Sequence, residues 1–235
     1  MAKIPVRLLL ALCFVEVCSP GGNSNGDPKQ KDSPYFAHSV REDIFAGFSG
    51  NDKALNRGIT KCDEALKLNP KHAEAMVWKG AAGVYLAGKS ILANQTSEGM
   101  ALLNKSLKEM DEAVKLEPRN LGVRVPRGAI LLSAGRNAPS ILGKPLIEKA
   151  LVDFQTIYEQ QKDNLTSLGT HPQGELRMGL ADMYRALGQF DQSNTQLQGI
   201  VKDMPNTRYA AEAKDWLAAK KEARLEHRCI GCHRE

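Results

Sequence analysis

The sequence predicts an all-α fold, a short solenoid of helical repeats that closes with a capping helix and continues into a C-terminal tail. Two observations predict it. Apolar residues recur at helical spacing from about residue 35 to residue 224, without the alternation that is typical of strands. Similar short segments that end in proline also recur along the chain. With 42% hydrophobic and 25% charged residues in 235, the composition is that of an ordinary globular protein.

The repeated proline-ending segment is predicted to form the end of a helix. Residues 65–70 (ALKLNP) recur as residues 113–118 (AVKLEP), and more loosely as residues 200–205 (IVKDMP). Proline ends a helix because it lacks an N–H and disfavours helix in the residue before it. After each of the first two prolines, two intervening residues lead into a new amphipathic helix, so the sequence predicts consecutive helical hairpins.

The last hairpin has the clearest pattern. Gly188 turns the chain between two amphipathic helices, and the small residue Ala181 marks the place where they cross. Gly80 and Gly128 take the same small-residue position in earlier first helices. The apolar face of the pair is formed by Leu176, Leu180, Met183, Tyr184, Leu187, Phe190, Ser193, Leu197, Ile200, Val201 and Met204.

This pattern resembles the tetratricopeptide repeat, at Leu180-Ala181, Tyr184, Gly188, Phe190, Ser193, Leu197, Ile200 and Pro205. The resemblance implies that residues 35–224 stack helix pairs into a right-handed superhelix whose concave groove binds protein partners. The spacing between prolines exceeds the period of about 34 residues. We expect the excess in a loop over residues 88–99 and around residues 136–145 and 162–173.

A stack of helix pairs needs a cap over its last apolar face. Apolar residues at helical spacing, backed by basic ones, predict a capping helix there from Tyr209, Ala213, Trp216 and Leu217, with Lys214, Lys220, Lys221 and Arg224 on its other side. We expect Trp78 and Trp216 to pack in the core, and Cys62 to be a small core residue.

The N-terminus is interpreted as a targeting signal. Lys3 and Arg7 precede an apolar run over residues 8–15 that is too short to span a bilayer. Residues 1–22 are therefore predicted to be a signal peptide, cleaved between about Cys18 and Asn23, and residues 23–34 a disordered leader. A lipidated Cys18 and a buried N-terminal helix remain alternatives.

The signal predicts a periplasmic or extracellular protein, with no transmembrane segment after cleavage. The formal charge of +5 comes from basic residues spread along helix faces without interleaved aromatic residues, so no nucleic-acid partner is expected. His-Glu-x-x-His is absent from the sequence, and we expect no enzyme.

The tail, residues 225–235, contains the pentapeptide Cys-Ile-Gly-Cys-His at positions 229–233. Cys-x-x-Cys-His is the attachment signature of c-type cytochromes. Two thiols two residues apart can add to the two vinyl groups of haem, and the next imidazole can then bind the iron. Cys229 and Cys232 are the predicted cofactor-binding residues for haem c, and His233 is the predicted iron ligand.

Alternatives remain for this motif: a small disulfide or free thiols, or a metal or redox dithiol site. Several histidines are candidates for a second axial ligand, but for each of them an exposed polar position is the simpler expectation. These candidates are His38, His72, His171 and His227, or a histidine of a neighbouring copy.

The sequence thus predicts an exported scaffold that carries one covalent haem and transfers electrons between protein partners or along an assembly of copies. A haem-free adaptor that binds proteins in its groove and a cytochrome-maturation helper are the alternatives. The tail is expected either to self-associate by docking on a neighbouring copy or to fold back on its own last repeat.

Overall fold

The computed structural model describes residues 36–221 together with residues 223, 225 and 227. Every regular element in this part of the chain is helical, which confirms the predicted all-α fold. The α-helices are α1 (Ala37–Phe48), α2 (Asp52–Leu68), α3 (Ala73–Leu92), α4 (Thr96–Leu116), α5 (Leu121–Asn137), α6 (Ser140–Gln161), α7 (Thr170–Ala186), α8 (Phe190–Asp203) and α9 (Arg208–Ala218); a 3-10 helix (Lys162–Leu168) precedes α7.

Three predicted features lie outside the described residues: the signal peptide (1–22), the leader (23–34), and the residues assigned to haem, which are Cys229, Cys232 and His233. Among the helices of the described part, none combines the length and the apolar character needed to cross a membrane.

Consecutive helices pack as antiparallel pairs. α1 packs on α2, α3 on α4, α5 on α6, and α7 on α8, while α9 covers α8. Neighbouring pairs meet through α1 and α3, through α3 and α5, and through α6 and α7. This order follows from the short connections, because helices joined by a few residues have to lie side by side.

Polar side chains begin several of these helices. Asn51, His72, Asn120 and Thr207 each accept a hydrogen bond from a backbone N–H in the first turn of α2, α3, α5 and α9. Such caps satisfy donors that have no partner within the helix. α3 and α5 begin three residues after Pro70 and Pro118, as the sequence predicts.

The predicted loop over residues 88–99 is wrong. α3 continues to Leu92 and α4 begins at Thr96, so only a short turn separates them. Its backbone reverses at Asn94, which has a φ of 64°. Gly99 lets α4 approach α3 so closely that a Cβ there would overlap the Ile91 side chain. The extra residues therefore lengthen both helices of the hairpin.

The turn and the crossing predicted for the last hairpin are confirmed. Gly188 has a φ of 76°, a conformation that glycine adopts without steric cost, and it joins α7 to α8. The buried Ser193 hydroxyl of α8 donates a 2.7 Å hydrogen bond to the Ala181 carbonyl of α7. In the earlier pairs, a Cβ at Gly80 would overlap Met110 and one at Gly128 would overlap Phe154, so both glycines allow close helix packing.

The core has two parts that meet at α7. The larger cluster extends from α1 to one side of α7, and it includes Cys62 and Trp78 as the sequence predicts. The smaller one lies on the other side of α7 and includes Tyr209, Ala213 and Trp216 of the capping helix α9. Because both faces of α7 are covered, this helix is buried over most of its length.

Candidate functional site

α7 places charged side chains inside the protein. Asp182 is 1% exposed and lies between two core residues of the helix. Its carboxylate forms an ion pair with Arg136 at the end of α5. One turn and a half earlier, the Arg177 guanidinium lies 2.9 Å from the Asp203 carboxylate of α8. A buried charge is tolerated only when it is paired, and each of these pairs joins α7 to another helix.

After α9 the chain turns back along α7. We call the described residues here, 219–221, 223, 225 and 227, the return segment. Arg185, near the end of α7, donates to the Lys220 carbonyl at 2.5 Å, and Arg136 donates to the Leu225 carbonyl at 3.2 Å. The His227 N–H donates to Asp182 at 3.2 Å. The segment therefore runs antiparallel to α7, in the groove between α5, α7 and α9.

The return segment ends, within the described residues, in a pocket of acidic side chains. Glu175 and Asp182 of α7 and Glu212 of α9 form this carboxylate pocket. The His227 imidazole fills it: Nδ1 lies 3.0 Å from Glu212 and Nε2 lies 3.3 Å from Glu175. Only 6% of the His227 side chain is exposed. Both ring nitrogens therefore face carboxylate oxygens in a site that is nearly closed to water.

The pocket keeps His227 charged. Burial by itself lowers the pKa of His227, but the hydrogen bonds and charges of Glu175 and Glu212 outweigh it and raise the pKa to about 9. The imidazole is thus protonated at neutral pH, where both nitrogens donate. In this position both ring nitrogens of His227 are engaged by carboxylates.

The start of the return segment is fixed by different contacts. The guanidinium of Arg185 lies 5.6 Å from the centre of the Phe190 ring, and the Lys221 ammonium lies 5.4 Å from the same ring. Leu225 packs against the smaller core cluster. The segment is held by an aromatic contact, an apolar contact and the carboxylate pocket in succession.

His171 belongs to the same cluster. Its Nδ1 lies 2.7 Å from the Tyr209 hydroxyl, which in turn lies 2.7 Å from Glu175. Tyr209 reaches this position because Gly174 has no side chain: a Cβ there would lie 2.5 Å from the Tyr209 ring. Glu175 thus connects His171, through Tyr209, to His227.

Two expectations about the histidines are wrong. His171 does not lie in a loop, because the first turn of α7 already includes it. His227 is not an exposed polar residue, because two carboxylates compensate for its burial. His38 is exposed on α1, and His72 caps α3 with its ring 4.7 Å from that of Phe36. In the structure, His171 and His227 lie in one cluster, whereas His38 lies on α1 and His72 lies at the start of α3.

Sequence reasoning missed the three acidic residues of the carboxylate pocket. One signal could have found Asp182: it is a charged residue within a largely apolar stretch of α7, between Ala181 and Met183. A charge at a core position predicts a buried partner. The sequence around Asp182 does not indicate that His227, 45 residues later, is its partner.

A second buried charge cluster joins α5 to α6. Asp153 is fully buried, with Arg124 at 2.6 Å and Arg127 at 3.4 Å from its carboxylate. Burial raises the pKa of Asp153 to about 6, although both arginines favour its charged form. Arg127 also reaches Asp111 of α4 at 3.3 Å. These contacts connect three helices, so the cluster has a structural role.

A cleft of about 330 Å³ lies at the beginning of α7, next to the connection between α8 and α9. Threonine side chains and Asp203 line it, and Asp203 is already paired with Arg177. We therefore take the carboxylate pocket, and not this cleft, as the candidate functional site.

The pocket can bind and orient a cationic side chain. Within the described residues, no group of three or more His, Cys, Asp or Glu side chains has the geometry to hold a metal ion. The comparisons give no family for the chain: no protein-family model matches it, and neither a curated protein nor a solved structure is a match.

Proposed function

We propose that this protein is an exported helical-repeat scaffold that carries one covalent c-type haem and transfers electrons between protein partners. The observation that carries the proposal is the Cys-x-x-Cys-His sequence at residues 229–233, preceded by a signal-like N-terminus. Cys229 and Cys232 would form the thioether bonds, and His233 would bind the iron. When attached, haem supplies one-electron chemistry, which requires no acid or base from the chain.

The position of His227 supports this assignment. The imidazole is held by Glu175 and Glu212, so the chain leaves the described structure from a fixed point. Five residues can extend over at most about 18 Å, and Cys232 follows His227 by five. A haem bound to Cys232 would therefore be attached within about 18 Å of His227.

The helix packing supports a scaffold of the tetratricopeptide type. The contact between Ser193 and Ala181, and the glycines at the crossings of the earlier pairs, agree with the small-residue positions of that repeat. We propose that the four hairpins form a short solenoid with α9 as its cap.

A haem-free adaptor that binds proteins in this groove is the second candidate. One observation favours it: Arg185 and Arg136 already donate hydrogen bonds to backbone carbonyls of the return segment. The adaptor function needs no cofactor, because backbone contacts and a charged pocket are sufficient for peptide binding.

Covalent haem is tested by expressing the full chain with a cytochrome c maturation system. We expect the exported protein to remain red after denaturation and to gain the mass of one haem. A Cys229→Ala, Cys232→Ala double variant should lose both properties and keep its helical circular dichroism. A mass equal to that of the cleaved polypeptide alone would exclude the haem function and leave the adaptor.

A further inference from the structure

The cleft at the beginning of α7 contains a buried polar group without a partner. Gln173 lines the cleft and is 4% exposed. Within the described residues, its side-chain nitrogen, Nε2, has no hydrogen-bond partner. A buried amide N–H that donates to nothing costs free energy in the folded state, and such groups are rare in folded proteins. The position of Gln173 therefore indicates that an acceptor enters the cleft.

The first turn of α7 faces the same cleft. α7 begins at Thr170 and Gly169 precedes it, and both residues line the cleft. Among the described residues, no side chain caps this end of α7, whereas Thr207 caps the start of α9. The first N–H groups of a helix have no partner within it, and its N-terminus carries a partial positive charge. The acceptor that such a helix end binds best is an anionic oxygen.

The connection between α8 and α9 adds an acceptor to the lining. Asp203, the last residue of α8, lines the cleft with 29% of its side chain exposed, so a ligand can reach it. Arg177 lies 2.9 Å from one oxygen of this carboxylate, Oδ2, and balances its charge. This ion pair leaves the other oxygen, Oδ1, able to accept a hydrogen bond from a ligand.

The size and charge of the cleft restrict the ligand. Its volume of about 330 Å³ is at the lower end of the range for small-molecule sites. A dianion such as phosphate would be repelled by the Asp203 carboxylate. A monoanion that also carries a hydrogen-bond donor matches both parts of the lining, the donors of α7 and the acceptor of Asp203.

We propose that the cleft between the first turn of α7 and the connection between α8 and α9 binds a small carboxylic acid that also carries a hydroxyl or amino group. The carboxylate of the ligand accepts hydrogen bonds from the first turn of α7 and from Gln173. The hydroxyl or amino group donates to Asp203. This site goes beyond the proposed electron transfer, and it requires neither the haem nor the return segment.

The test measures the binding of lactate to the full chain, with propionate, which lacks the hydroxyl group of lactate, as the matched ligand. NMR follows the backbone N–H signal of Thr170 as each ligand is added. We expect lactate to bind at least about tenfold more tightly than propionate, because a site that hydrogen-bonds a hydroxyl group rejects the analogue without it. Inorganic phosphate should bind more weakly than lactate.

The role of Gln173 is tested by a Gln173→Met variant, which keeps a side chain of similar length and removes the amide. Because Nε2 has no partner in the described part of the protein, the melting temperature should stay the same or rise. The affinity for lactate should nevertheless fall about tenfold or more, since a hydrogen bond to a charged group is lost. Gln160→Met is the matched control: the Nε2 atom of Gln160 in α6 is also buried without a partner in the described residues, but it lies outside the cleft lining.

The Gln160→Met variant should bind lactate as the unchanged chain does. Equal lactate affinity in the two variants would overturn the proposal, as would an unchanged Thr170 signal when excess lactate is added to the unchanged chain. Equal affinities of the unchanged chain for lactate and propionate would overturn the role of Asp203. A lower melting temperature of the Gln173→Met variant with unchanged lactate affinity would assign Gln173 to packing alone.

Discussion

The Nδ1 atom of His227 lies 3.0 Å from a carboxylate oxygen of Glu212, which connects the end of the described chain to the capping helix. The same ring contacts Glu175 of α7. The His227 side chain therefore connects the return segment to both α7 and α9. The protonation state of its imidazole controls both contacts.

The first prediction concerns pH. The pKa of His227 is raised to about 9 in the fold, against an ordinary value of about 6.5. Stability from this group is fully present below about pH 6.5 and is lost as the pH rises through about 9, because the unfolded chain releases its proton first. The shift corresponds to a contribution on the order of 3 kcal/mol. Imidazole NMR measures the pKa, and urea unfolding between pH 6 and pH 10 measures the loss.

Arg136, Asp182, His171 and Tyr209 also surround this ring, so the control has to change the two ion-pairing carboxylates alone. A Glu175→Gln, Glu212→Gln variant should have a lower His227 pKa and a flatter dependence of stability on pH. An imidazole that titrates near pH 6.5 in the unchanged chain would contradict the pocket described for His227.

The second prediction concerns the buried cluster of α5 and α6. Asp153→Ala removes the buried carboxylate that Arg124 and Arg127 share and leaves Arg127 its contact with Asp111; breaking a buried pair in this way costs about 3 to 5 kcal/mol. The exposed Asp163→Ala serves as the control and should change stability by less than about 0.5 kcal/mol. Urea unfolding midpoints of the Asp153→Ala and Asp163→Ala variants are compared. Similar midpoints would mean that other groups or water compensate the charges of the two arginines.

Much of the fold could be predicted from the sequence because its signals are local. The helix-ending prolines at 70 and 118, the Gly188 turn and the apolar faces of α7 and α8 each report on residues a few positions away. The predicted loop at 88–99 is wrong because the spacing between prolines shows that residues are added, and not whether they form a loop or lengthen helices. In the structure, Gly99 lets α4 pack closely on α3, a contact between helices that the local pattern does not show.

The candidate site depends on contacts between distant parts of the chain. Glu175 and His227 are 52 residues apart, and Asp182 and His227 are 45 apart. Nothing near His227 in the sequence distinguishes it from an exposed histidine. The Cys-x-x-Cys-His pattern is visible in the sequence for the opposite reason, because its two thiols and its imidazole lie within five consecutive positions.

The third prediction concerns export. A short apolar run after Lys3 and Arg7 predicts cleavage between about Cys18 and Asn23. N-terminal sequencing of protein recovered from outside the cytoplasm should give a first residue in that range. The matched control replaces Leu9 and Leu10 by aspartate, which shortens the apolar run and should prevent both export and cleavage. Mature protein that retains Met1 in the cytoplasm would refute the signal and weaken the haem assignment.

The last prediction concerns the choice of side chain at position 227. The carboxylate pocket should accept another cation, so His227→Lys should keep the return segment in place. His227→Glu adds a fourth carboxylate to Glu175, Asp182 and Glu212, and like charges in a buried site repel strongly. We therefore expect the return segment to leave the groove in the glutamate variant.

Amide hydrogen exchange of the return segment distinguishes these cases, because exchange reports local opening without global unfolding. At neutral pH, the N–H of residue 227, which donates to Asp182, should exchange at a similar rate in the unchanged chain and the lysine variant. In the glutamate variant it should exchange about tenfold faster or more, while the amides of α3 keep their protection. Equal exchange in the lysine and glutamate variants would show that Arg185, Arg136 and Leu225 hold the segment without the pocket, and that the pocket does not select for charge.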